Sequence, residues 1–104
     1  MDSESIAMAL IAHSGDARAA AFQALKAARN KDYDEAERLL EESKKSSVEA
    51  HKAQTELLFS EANGQKTELN VLLVHAQDHL MTSMLAQELI AEMVNLYKVK
   101  ADRA

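Results

Sequence analysis

Val71-Leu72-Leu73-Val74-His75-Ala76-Gln77-Asp78-His79-Leu80-Met81-Thr82-Ser83-Met84-Leu85 carries more apolar surface than one buried face can use. Leu69 precedes the stretch, and Leu89, Ile90, Met93, Val94 and Leu96 extend it. The pattern predicts a helix running from Thr67, as N-cap, to about Lys98, apolar nearly all round. Such a helix must be covered on more than one side. Val71, Val74, Asp78, Met81 and Leu85 fall at alternating steps of three and four, the spacing of a coiled-coil seam. One face therefore packs within the chain, and the seam predicts a bundle between copies of it.

Working outward, the chain has no proline and only two glycines, so little interrupts it. Two further helices are expected. The first covers about Ser5 to Arg29, alanine-rich, with Ser3 as N-cap and Asn30 in its closing turn. Gly15 inside it marks either a break or a close approach by a neighbour. The second starts at Asp32 or Asp34, where acidic side chains favour the positive helix end, and stops at Asn63-Gly64. Between them Ala36, Leu39, Leu40, Ser43, Ser46, Ser47, Ala50, Ala53 and Leu57 recur at spacings of three and four, an amphipathic stripe with small residues mid-span. Short connections make consecutive helices antiparallel neighbours. The expectation is an all-α fold, an antiparallel three-helix subunit forming one domain over residues 1–104, with Ala101–Ala104 frayed.

Composition narrows the chemistry. Of 104 residues, 47% are hydrophobic, but Phe22, Tyr33, Phe59 and Tyr97 are the only aromatics, so the core must be built from small pieces. A small domain of this kind buries a low fraction of its surface, which favours oligomerisation. The absence of cysteine removes disulfides, thiolate metal sites and cysteine nucleophiles. A formal charge of −5 argues against nucleic acid as a partner. Met1–Ser5 lacks the basic start of a secretory signal, and Ile6–Ala12 and Val71–Ala76 are too short to cross a bilayer. A cytoplasmic protein without direct membrane insertion is expected.

Four histidines remain as candidates for chemistry. His51 sits in a polar stretch and His13 in an ordinary helical one, and both are read as structural or surface residues. His75 and His79 are four apart, which places both rings on one helical face. A zinc pair of the His-Glu type is disfavoured, because Ala76 stands where its glutamate would. The Glu-x-x-His spacing of di-iron bundles is absent too, with Leu72 and Ala76 at the relevant positions. Two readings stay open on spacing alone. His75 is a nucleophile that accepts a group, with His79 one turn on donating a hydrogen bond to it, or the pair merely packs in a bundle. Gln77 is less favourably placed, pointing roughly opposite His75 on the same helix, but is a candidate support for an adjacent chain. Asp78 belongs to the seam, so either helical drift turns it outward or copies of it meet on a symmetry axis. Carboxylates gathered there must take up protons, bind a hard cation or weaken the assembly.

The sequence also resembles a known family. Glu49-Ala50-His51-Lys52-Ala53-Gln54-Thr55-Glu56-Leu57 and Leu72-Leu73-Val74-His75-Ala76-Gln77-Asp78-His79-Leu80-Met81-Thr82 are similar to the IIA component of the lactose/cellobiose/chitobiose branch of the bacterial phosphotransferase system. His13-Ser14-Gly15-Asp16-Ala17-Arg18 and Asp32-Tyr33-Asp34-Glu35-Ala36 extend the likeness over essentially the whole chain. The resemblance implies a homotrimer, a nine-helix bundle of three such subunits. It implies that His75 accepts a phosphoryl group from the phosphocarrier HPr and passes it to a cysteine of the IIB component, coupled to disaccharide uptake. It further implies His79 as a supporting residue, and Asp78 as an axial residue able to bind a divalent metal such as Mg. No organic cofactor is implied. The rival from another class is a non-catalytic helical scaffold, which would explain the seam equally well. A histidine phosphotransfer domain of two-component signalling would show His-x-x-Lys-Gly, and none of the four histidines is followed by it.

Overall fold

The computed structural model describes residues 2–103. Three helices follow in order: α1 (Ser3–Arg29), α2 (Tyr33–Ala62) and α3 (Val71–Arg103). They lie side by side in a rod of 57 × 19 × 19 Å. The short turns at residues 30–32 and 63–70 reverse the chain twice, giving the expected antiparallel arrangement.

Local chemistry sets the helix ends, and several differ from the sequence expectation. The N-cap of α1 is Asp2 rather than Ser3. Its carboxylate accepts from the Ser5 N–H at 2.7 Å, and that bond holds the acid below its ordinary pKa. Asp32 caps α2 by accepting from the Glu35 N–H. Thr67 does not cap α3. Asn70 does, its Oδ1 accepting from the Leu73 N–H at 2.8 Å, directly before the apolar run. The Thr67 N–H instead donates to Glu61 in the connecting loop. At its other end α3 continues past Lys98 to Arg103, so residues 101–103 are helical rather than frayed, and Ala104 lies outside the described residues.

Both α1 and α2 close with the same pair of reverse hydrogen bonds. Asp32 N bonds to Ala27 O and Lys31 N to Ala28 O; Gln65 N bonds to Ser60 O and Gly64 N to Glu61 O. This closure puts one residue into the left-handed region. In α2 it is Gly64 (φ 86°), which accepts that conformation freely, and in α1 it is Lys31 (φ 65°), which does not. Gly15 proves neither a break nor a close approach. The helix runs through it, and a Cβ added there would meet nothing within 4 Å.

α1 is the central element. It packs closely on both α2 and α3, which touch each other far less. Its buried stripe of Ala7, Leu10, Ala17, Ala21, Ala24 and Ala28 explains how: small side chains let two neighbours approach one helix. Two apolar clusters result. One gathers Ile6, Leu10, Leu57, Leu73, Ala76 and Leu80; the other gathers Ala24, Leu39, Leu40, Ile90 and Val94 toward the opposite end. Among the described residues the buried polar side chains are Ser14, Ser43 and Ser83, one from each helix. Ser43 donates to the Ala17 carbonyl at 2.7 Å, whereas Ser14 Oγ and Ser83 Oγ have no partner among the described residues.

Candidate functional site

The single chain covers only one side of α3. Leu73, Ala76, Leu80, Ser83, Ile90 and Val94 are buried against the other helices. On the opposite side Val71, Val74, Met81, Leu85, Leu89 and Leu96 stay between 55% and 86% exposed. The surplus of apolar residues read from the sequence is thus a continuous uncovered stripe, far longer than the scattered apolar residues of an ordinary surface. Asp78 sits in its middle. At about 100° per residue, Val71, Leu85, Leu89 and Leu96 all fall within roughly 20° of it around the helix. It is exposed and faces away from its own chain.

The two flanks of this stripe differ. On one, about 60° and 100° around from Asp78, stand His75 and His79. His75 is exposed and His79 half-buried. Their ring centroids are 4.7 Å apart at an interplanar angle of 66°, an edge contact. His79 Nδ1 is turned inward and buried, without a hydrogen-bond partner among the described residues, which leaves Nε2 as its outer nitrogen. The proton costs least on that outer nitrogen, because a buried N–H lacking an acceptor is worse than a buried lone pair lacking a donor.

Gln77 and Met84 occupy the other flank, which faces α2. Gln77 is half-buried, and its Oε1 accepts from Gln54 Nε2 at 3.0 Å. A groove of about 430 Å³ continues this flank, lined by Ser47, Val48, His51, Lys52, Thr55 and Met84. Met84 is roughly 180° around α3 from His75, so His51 and the groove are remote from the histidine pair of the same chain. His13 is half-buried on α1. The structure thus brings His75 and His79 together, and separates Gln77 and Asp78 from them. Among the described residues no group of three or more His, Cys, Asp and Glu is placed to hold a metal ion. No described helix is long and apolar enough to cross a membrane.

Gln54 carries no signal in the sequence beyond its place in the Glu49–Leu57 segment. Its pairing with Gln77 spans 23 residues and depends on how α2 lies against α3, which periodicity does not report.

A family model for the lactose/cellobiose-specific IIA subunit of the phosphotransferase system matches residues 5–98. The N,N'-diacetylchitobiose-specific EIIA component of Escherichia coli K12 is 46% identical over 99 residues, covering 94% of this chain and 85% of that protein. The crystal structure of the cellobiose-specific enzyme IIA from Bacillus anthracis superposes with a TM-score of 0.97 at 44% identity, covering 100% of this chain and 95% of that one. The solution structures of the chitobiose IIA–HPr complex of Escherichia coli give a TM-score of 0.83 at 42% identity, covering 97% and 98%. Helix order, the histidine pair and these likenesses agree: the chain belongs to the lactose/cellobiose-specific IIA subunit family of the sugar phosphotransferase system, as one of its enzyme IIA components.

Proposed function

We propose that His75 is the phosphoacceptor of this IIA component and that His79 supports it. One observation carries the reading: His75 is the exposed member of a histidine pair in edge contact, on the flank of a long uncovered apolar stripe. A neutral imidazole there has a free lone pair for attack on phosphorus. The bond between phosphorus and its donor breaks as the bond to His75 forms. His79 Nε2–H, one turn away, donates to an oxygen of the incoming group. Little covalent machinery is needed, because phosphoryl transfer depends mainly on positioning and charge stabilisation. A second transfer then moves the group from nitrogen to a cysteine sulfur of IIB. HPr is the donor on this reading, in keeping with the chitobiose IIA–HPr complex of the similar structures.

The stripe is proposed as the axis of a cytoplasmic homotrimer, in which three α3 helices bury it. One flank of each α3 then faces the opposite flank of the next, so Gln77 of one copy comes beside His75 of its neighbour. Three Asp78 carboxylates would meet on the axis. Their oxygens are the donor type that a divalent cation such as Mg takes, and one chain alone supplies too few of them. The metal's role would be to offset charge repulsion in the seam, with no part in the transfer. His75, His79 and Asp78 are on this account two sites, one chemical and one structural.

The relay is tested by mixing phospho-HPr with IIB in the presence and absence of this chain. Label should reach the IIB cysteine only when the chain is present, and a His75→Ala chain should not restore it. Equal labelling without the chain would favour the scaffold reading.

A further inference from the structure

Resting on that reading, we infer that Gln54 is a positioning residue for phosphoryl transfer. It fixes the side-chain amide of Gln77 so that the Gln77 NH2 group faces His75 of the adjacent copy.

A glutamine amide has two unlike ends, a carbonyl that only accepts and an NH2 that only donates. Phosphoryl oxygens accept, so the amide assists one only when its NH2 end points outward. Left free, Gln77 presents either end. The bond from Gln54 Nε2 to Gln77 Oε1, at 3.0 Å, occupies the carbonyl and leaves both Gln77 N–H groups available. Gln54 lies on α2 and is half-buried, which narrows the room its side chain has to turn. The direction follows from the wheel of α3. His75 lies about 60° to one side of Asp78 and Gln77 about 100° to the other, so the two cannot meet in one chain. Packing around the Asp78 stripe brings exactly unlike flanks together, His75 and His79 of one copy against Gln77 of the next.

The bland alternative is that Gln54 and Gln77 only pin α2 to α3. Another polar pair does that further along, where Ser47 Oγ donates to Gln87 Oε1 at 2.9 Å. The two roles separate in experiment. Gln54→Glu offers Gln77 only acceptors, which turns its NH2 inward and its carbonyl toward the phosphoryl group. Gln54→Leu removes the constraint without reversing it.

The test compares the parent, Gln54→Glu, Gln54→Leu, Gln77→Leu and the combinations with Gln77→Leu. Each is equilibrated with HPr and phospho-HPr, the phosphorylated fraction is read by intact mass, and melting and sedimentation are followed alongside. Gln54→Glu should lower the transfer equilibrium constant about tenfold, the scale of one lost hydrogen bond to a charged group, and Gln54→Leu less. Neither should matter once Gln77 is leucine. If Gln54→Glu fails to assemble, Gln54→Leu in the two backgrounds decides. The inference is overturned if the Gln54 variants act equally in both backgrounds, or leave the equilibrium unchanged while Gln77→Leu lowers it. A parent chain that takes up no phosphate overturns the phosphocarrier reading itself, a distinct result.

Discussion

Replacing Asp78 by leucine should strengthen the proposed trimer. Val71, Val74, Met81, Leu85, Leu89 and Leu96 are each more than half exposed in one chain. Burying what remains of each is worth about 1 kcal/mol or more, so the stripe supplies roughly 6 kcal/mol per chain. Asp78 in the middle of it works the other way. Three carboxylates brought to one axis lose hydration and repel, a cost of several kcal/mol per ion before any cation offsets it. Exchanging such buried charge for apolar packing gains about 1–4 kcal/mol in comparable cases. At about 1–2 kcal/mol per chain the trimer gains roughly 3–6 kcal/mol, a fall of about 10²–10⁴ in its dissociation constant. The assay is sedimentation equilibrium with thermal melts at matched concentration, with chelator and with Mg. Asp78→Leu should melt higher than the parent in chelator and ignore Mg, while the parent recovers part of the gap when Mg is added. A variant that dissociates into monomers would refute the reasoning, because Asp78 would then lie outside the seam.

Three other outcomes follow from particular side chains. Lys31→Gly should stabilise the chain by about 1 kcal/mol in denaturant titration, because Lys31 holds a left-handed backbone that glycine adopts without strain; a loss would mean that the lysine side chain does more than close α1. Ser43→Ala should cost about 1 kcal/mol through its bond to the Ala17 carbonyl, while Ser83→Ala should be neutral or stabilising because that hydroxyl is buried without a partner in the chain. Equal effects at the two positions, read by the same titration, would contradict this. Co-refolding His75→Ala chains with Gln77→Leu chains should give mixed trimers in which some His75 sites again have a neighbouring Gln77. Phosphate uptake by the Gln77→Leu chains should then rise above their own homotrimer's; no rise would mean that Gln77 does not act between copies.

The three helices were legible because each carries a long uninterrupted 3.6-residue pattern with almost no proline or glycine to break it. What the pattern could not fix was local competition at the ends. Asp2 outcompeted Ser3 because a carboxylate accepts the Ser5 N–H more strongly, and Asn70 outcompeted Thr67 because it stands immediately before the apolar run. The need for an uncovered face was readable from the all-round apolar α3, and the seam positions Val71, Val74, Met81 and Leu85 lie on it, but its continuation through Leu89 and Leu96 became plain only with the neighbours in place. Of the site, spacing put His75 and His79 on one face but left relay and packing open. The inward turn of His79 Nδ1 and the Gln54–Gln77 bond depend on how neighbouring helices sit, and no periodicity within one segment carries that information.

The central claim is that the phosphoryl group is carried at His75. Incubation with phosphoenolpyruvate, enzyme I and HPr, followed by intact mass, tests it most directly. The parent should carry one acid-labile phosphoryl group per chain and His75→Ala none, with the variant still folded and assembled. Uptake by His75→Ala equal to the parent's would contradict it.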